Sequence, residues 1–160
     1  MGSDDSPGDG DGDGVMGVVP ALVRSSFLIE RVYAESARQH GITPQQGVLM
    51  CVLMAGELGM TDLGATLGLA KSSLTGLVNR TEANGFVARS TDPADTRAVT
   101  VRLTAAGDAV VQKFYTETCR RVDDLARGLS AEDRAALASL LGRVVVDNEV
   151  PVVFINSEAR

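Results

Sequence analysis

Apolar residues recur at helical spacing along most of this chain, and in one short stretch they alternate instead. Over 18–41, Leu22, Leu28, Ile29, Val32 and Tyr33 form a broad stripe, with Arg24, Glu30, Arg31, Glu35 and Arg38 on other faces. Such a stripe predicts a helix that packs against two partners. Pro44 suits the first turn of a second helix capped by Thr43, and the nearly continuous apolar run 48–58 predicts that this helix is central and buried. A third helix is expected to start near Met60 with N-terminal oxygens from Thr61 and Asp62. Leu63, Leu67 and Leu69 anchor it, and it stops at Gly68, which can take the left-handed conformation. A fourth, over 70–84, carries Leu74, Leu77 and Val78 on one face and ends at Gly85.

The alternation comes next. The β-prone runs 86–90 and 98–102 flank 91–97, whose Asp and Pro residues favour a turn, so the expectation is a two-stranded hairpin with a long charged tip. Helical spacing returns from Thr104 to about Gly128 with Val110, Phe114, Val122 and Leu125. Ser130, with Asp133 three residues on, caps a last helix bearing Leu137, Leu140, Leu141, Val144 and Val145. Beyond it, 150–155 is a second apolar run that Pro151 keeps out of the helix and that can extend along a partner.

Helix, tight turn, helix and hairpin in immediate succession make a winged helix-turn-helix, and a DNA reader is the first functional hypothesis. The second helix of such a pair buries one side and offers short polar and cationic side chains to base edges and phosphates. Lys71, Ser72, Ser73, Thr75, Asn79 and Arg80 are of those types. Arg97, at the end of the expected hairpin tip, is a cation suited to a narrow minor groove, with Asp95 placed to orient its guanidinium. Taken alone, the same loop reads as a solvated hairpin with an ordinary surface ion pair.

At these residues the chain resembles the MarR (multiple antibiotic resistance regulator) family of bacterial transcription factors. The resemblance spans roughly 18–146. It rests on the 63–69 helix and turn, the run SSLTGLVNRTEANGFVAR, the wing segment DPADTR with its Asp-x-Arg, and the LTAAG that opens the helix after Thr104. It implies a mainly α fold of about six helices and a two-stranded β wing, and a homodimer whose terminal helices interlock. Each subunit then lends one winged helix to a palindromic operator, most often as a repressor that responds to a ligand or an oxidant. The division expected is an acidic Gly-rich tail over 1–16, a helical dimerisation part from 17–42 and 104–160, and a winged helix over 43–103. The DNA contacts expected are Lys71, Ser72, Ser73, Thr75, Gly76, Asn79, Arg80, Arg89, Asp95 and Arg97. The chain departs from the family pattern at Ala70, where a capping Ser or Thr is usual, at Gly76, where a larger and often basic residue is common, and at Thr81, where Leu is usual. Thr96 replaces a frequent second basic residue of the wing. An uncapped Ala70 forgoes about 1 kcal/mol.

Charge changes the picture only locally. The formal charge of −6 is awkward for a DNA binder, but Asp4, Asp5, Asp9, Asp11 and Asp13 all precede Val15, so the remainder carries −1. Over 71–102, Lys71, Arg80, Arg89, Arg97 and Arg102 face three acids, Glu82, Asp92 and Asp95. A positive head, doubled by dimerisation, suits phosphate attraction and a steep salt dependence. The tail 1–14 has the composition of disorder. Its Asp9-x-Asp11-x-Asp13-Gly opens like a calcium loop, but Pro20 holds the place of the closing acid, so no metal or other cofactor is expected.

Cys51 and Cys119 lie far apart in helical segments and read as small packed hydrophobes. The family's oxidant sensors carry a reactive Cys near the start of the first helix, and this chain has none there. The resemblance also implies an effector such as a small aromatic or phenolic acid entering between the dimer helices and the winged domain. Candidate wall residues are Tyr33, His40, Met50, Met54 and Tyr115, for each of which core packing is the alternative, and for His40 a helix-end role. A single His, with no nucleophile–base order and no phosphate-binding glycine loop, leaves no catalytic centre to assign. The rival reading is a winged-helix protein-interaction module that does not bind DNA. No apolar run nears the roughly 20 residues of a membrane span, and the acidic start lacks the form of a cleavable signal, so the cytoplasm is the expected location.

Overall fold

The computed structural model describes residues 16–92 and 95–150, with the backbone alone for Asp92 and 95–98. Within them run α1 (Val18–Gln39), α2 (Pro44–Leu53), β1 (Leu58–Gly59), α3 (Met60–Leu67), α4 (Lys71–Ala83), β2 (Val87–Asp92), β3 (Asp95–Leu103), α5 (Ala105–Leu125) and α6 (Ala131–Asp147). This is the mainly α, winged architecture expected. The sheet has three antiparallel strands in the order β1-β3-β2, one more than the sequence suggested. Leu58 and Gly59 pair with Val101 and Thr100, so the end of the 48–58 apolar run is a strand edge and not helix.

α2 is the hub. Its Thr43 hydroxyl accepts from the Gln46 backbone N–H at 3.2 Å while Gln46 Oε1 accepts from the Thr43 N–H at 3.0 Å, a reciprocal capping box behind Pro44. Leu49, Met50 and Leu53 are buried in the core with Leu63, Leu74, Val78, Val101, Val111 and Phe114. Gly47 brings α2 against α5: a Cβ there would lie 2.5 Å from the Phe114 ring, so only glycine permits this approach. The same ring meets Tyr33 of α1 edge-on, with centroids 6.1 Å apart. Further along, Arg121 of α5 joins Glu35 of α1 at 2.9 Å and Glu117 of its own helix at 2.6 Å. Hydrogen bonds from Arg120, and then from Arg121, hold the Glu117 carboxyl at about 2, well below its ordinary value.

The caps follow the sequence in part. Ser130 accepts from Asp133 N at 3.1 Å, as expected of α6, and Thr104 caps α5 by accepting from Gly107 N at 3.0 Å. α3 differs: Gly59 is its cap residue without a side-chain bond, and Thr61 and Asp62 lie inside the first turn. Met60 continues directly from the strand, so the chain enters α3 too early for Thr61 to sit outside it. Gly68 takes φ +63° and ends the helix as expected.

The two end helices are different in kind. Only Val32, Ser36 and Ala37 of α1 are buried, and no residue of α6 is. Val18 is 70% exposed, Phe27 63% and Leu140 58%.

The wing is fastened to α5 at one corner. Thr104 donates its hydroxyl to the Gly85 carbonyl at 2.6 Å and its N–H to the Phe86 carbonyl at 3.0 Å, and Gly107 lies directly against that carbonyl. Alanine has the higher helix propensity, yet its methyl would collide with backbone that cannot yield. Gly107→Ala should therefore lower stability by about 1–3 kcal/mol. Urea denaturation checks it; an unchanged or raised midpoint would show that the corner has slack.

Candidate nucleic-acid interface

α4 buries Leu74, Leu77, Val78 and Thr81. Thr81, where the family pattern has leucine, donates its hydroxyl to Leu77 O at 2.8 Å and so enters the core without an unsatisfied donor. Ala70 is the cap residue, with no side-chain bond. At the other end the Gly85 N–H reaches Glu82 O at 2.8 Å and Gly85 takes φ +77°, closing the helix where the sequence placed its stop.

Because those four residues face inward, Ser72, Thr75, Gly76 and Asn79 form a second stripe at i, i+3, i+4 and i+7 on the outer side. Ser72 and Asn79 are exposed and Thr75 and Gly76 half-buried, with Lys71, Ser73 and Arg80 exposed beside them. Thr75 donates its hydroxyl to Lys71 O at 2.8 Å, which leaves its methyl and an acceptor for other contacts. A Cβ at Gly76 would stand 3.3 Å from Arg80 Nη1, so the Arg80 side chain folds back over that position.

Arg89, expected among the DNA contacts, is engaged within the chain. Its Nη1 donates to Glu82 Oε2, its backbone N–H to Glu82 Oε1 at 3.1 Å, and its Nη2 to Asn79 Oδ1 at 2.7 Å. Arg89 thus ties β2 to α4, its charge cancelled by Glu82 at close range. Glu82 is the residue that sequence reasoning misses. There it counts only as an acid against the head's charge, although its place three residues after Asn79 is a signal that the two share a face.

The wing is also shorter at its tip than expected. β2 and β3 continue pairing to Asp92 and Asp95, and Asp92 faces Asp95 where the preceding register requires position 98. The three residues 96–98 therefore form an irregularity in β3, and Arg97 belongs to this irregular strand instead of a long open tip. The side chains of Asp95, Thr96 and Arg97 lie outside the described residues, as do the Asp9–Asp13 segment and 151–155.

Two of the candidate effector contacts, Tyr33 and Met54, line different openings. Tyr33 lines an opening of about 450 Å³ with Ile29, Glu30, Pro44 and Gln45. Met54 lines another of about 360 Å³ at the wing base, with Leu53, Glu57, Arg102 and Leu103. Met50 is fully enclosed in the core cluster that also holds Phe114. His40 caps α1, its N–H on Ala37 O at 3.1 Å, while its buried Nε2 meets no protein partner. Tyr115 packs against the core edge, and burial followed by a hydrogen bond with Cys119 raises its pKa. Burial, and after it the nearness of Cys119, pushes the Cys51 thiol up to about 12, so it stays protonated and unreactive near neutrality.

The MarR family model matches residues 42–99, the stretch from the entry of α2 through the wing. The transcriptional regulator FarR of Neisseria gonorrhoeae is 31% identical over 124 residues, covering 77% of this chain and 85% of that protein. A mutant of E. coli MarR complexed with operator DNA superposes with a TM-score of 0.68 at 25% identity, covering 80% of this chain and 95% of the other. Bordetella bronchiseptica BpsR, whose DNA binding is regulated by 6-hydroxynicotinic acid, superposes with a TM-score of 0.68 at 26% identity, covering 80% and 92%.

The environment of Cys51 generates a direct expectation. In the native protein at pH 8, a small disulfide reagent should modify the partly exposed Cys119 and spare Cys51, which reacts only on unfolding. Thiol counting before and after denaturant checks this. Rapid native labelling of both would mean that α2 opens readily.

Proposed function

Because this chain belongs to the MarR family, we propose that it is a homodimeric, sequence-specific DNA-binding regulator of transcription. The observation that carries the reading is α4: one face fixed in the core, the other a polar stripe from Ser72 to Asn79 with Lys71, Ser73 and Arg80 beside it, next to a wing. That stripe enters the major groove, Lys71 and Arg80 meet phosphates, and Arg97, oriented by Asp95, reaches the flanking minor groove.

Dimerisation supplies the second copy. The apolar side chains along the first half of α1 and all of α6 exceed what a monomer leaves in water, and self-association through 17–42 and 104–160 covers them while 43–103 reads DNA. Two-fold symmetry then calls for a palindromic operator with half-sites about 10 bp apart. Repression is the mode that the family resemblance implies. The effector in this reading is a small aromatic acid bound near Tyr33, with Tyr115, His40 and Met54 on neighbouring elements; its support is the opening beside Tyr33 and the regulation of BpsR by such an acid. Among the described residues no helix is long and apolar enough to cross a membrane, and the reading places the protein in the cytoplasm with its DNA.

Selection of duplexes from a random pool, followed by titration at several salt concentrations, tests the reading. Arg97→Ala should weaken binding to all selected sequences alike and reduce the salt slope by about one. Wild-type affinity in that variant removes the wing contact, and failure of the wild-type protein to shift any duplex at low salt removes the DNA-binding function. Light scattering at micromolar concentration should return twice the chain mass; a monomer would contradict the paired heads.

A further inference from the structure

Given the DNA-reading function proposed for α4, on which this inference rests, the Glu82–Arg89–Asn79 chain bears on which base the reading stripe accepts. Glu82 holds the backbone N–H and one guanidinium nitrogen of Arg89, fixing the plane of the guanidinium. The remaining edge is presented to Asn79, whose Oδ1 accepts from Nη2 at 2.7 Å. An arginine has donors only, so it selects the oxygen of the carboxamide and leaves the Nδ2 hydrogens to the solvent side. Asn79 is exposed, on the same stripe as Ser72, Thr75 and Gly76.

A free carboxamide reads adenine by donating to N7 and accepting from N6 together, while guanine presents two acceptors, N7 and O6. We infer that Arg89 is a positioning residue which engages one lone pair of the Asn79 oxygen and turns Nδ2 outward as the leading group, so that the base met by Asn79 in each half-site is guanine and not adenine. Glu82 neutralises the guanidinium at close range, and two of its N–H groups are engaged within the chain.

The test is one random duplex pool selected in parallel by the wild-type protein, Asn79→Ala and Arg89→Ala. Asn79→Ala, a change on the exposed face, should erase the preference at one position per half-site, and that position should be guanine in the wild-type pool. Arg89→Ala frees the oxygen, so the guanine-to-adenine ratio there should fall by about tenfold or more, with the other positions and the salt slope unchanged. Adenine at that position in the wild-type pool overturns the inference, as does an Asn79→Ala pool identical to the wild type. So does an Arg89→Ala protein with intact base preference and a salt slope lowered by about one, which would make Arg89 a phosphate contact. Circular dichroism shows whether Arg89→Ala folds; if it does not, the wild-type and Asn79→Ala pools decide by guanine or adenine alone. A wild-type pool with no enrichment is a different result, which removes DNA reading itself.

Discussion

A helix that must leave one face bare can be held only from behind, and the rest of this molecule is arranged around that constraint on α4. Leu74, Leu77, Val78 and Thr81 engage the core that α2 organises, and the Glu82–Arg89 bond fastens the end of the same helix to β2. Each of these contacts lies on the inner or lateral side. On the outer stripe only the Thr75 hydroxyl, bonded to Lys71 O, and the Asn79 oxygen, bonded to Arg89, are engaged within the chain. Side-chain order established before binding is ordering entropy that association no longer has to supply.

The end helices show the opposite condition. α1 is anchored by its C-terminal half through Val32, Ser36 and Ala37, by the Tyr33–Phe114 ring contact and by the Glu35–Arg121 ion pair, while its first turns and the whole of α6 present apolar side chains outward. Burying such a surface releases roughly 25 cal/mol for each square ångström of apolar area removed from water. The single chain is thus complete at its reading head and unsatisfied at its ends.

Much of this is legible in the sequence, and the illegible parts have physical reasons. Periodicity locates all six helices because their apolar positions repeat over many turns, and Thr43, Gly68, Gly85, Thr104 and Ser130 mark their ends through chemistry that is local to the chain. β1 is invisible because two residues carry no period and the strand exists only through pairing with β3, more than 40 positions away. Thr61 and Asp62 have the residue types of caps, whereas the backbone route from β1 decides where α3 begins. Met50 is indistinguishable from a pocket wall in the sequence because enclosure depends on which face of α2 meets Phe114. The ion pair of Arg89 with Glu82 is hidden there, since a sequence shows the charge but not the carboxylate that the fold sets beside it. The irregular pairing near Arg97 belongs to the same class, set by the register of two strands and not by the turn-forming residues between them.

The corner built from Gly85, Phe86, Thr104 and Gly107 joins the end of α4, the root of the hairpin and the first turn of α5 through two hydrogen bonds and one close backbone contact. α5 then runs 21 residues, about 30 Å, toward the unsatisfied end of the molecule. A rod welded to its load transmits torque. A displacement at the far end of α5 therefore has a direct covalent and hydrogen-bonded route to the end of α4, the helix that bears the polar stripe.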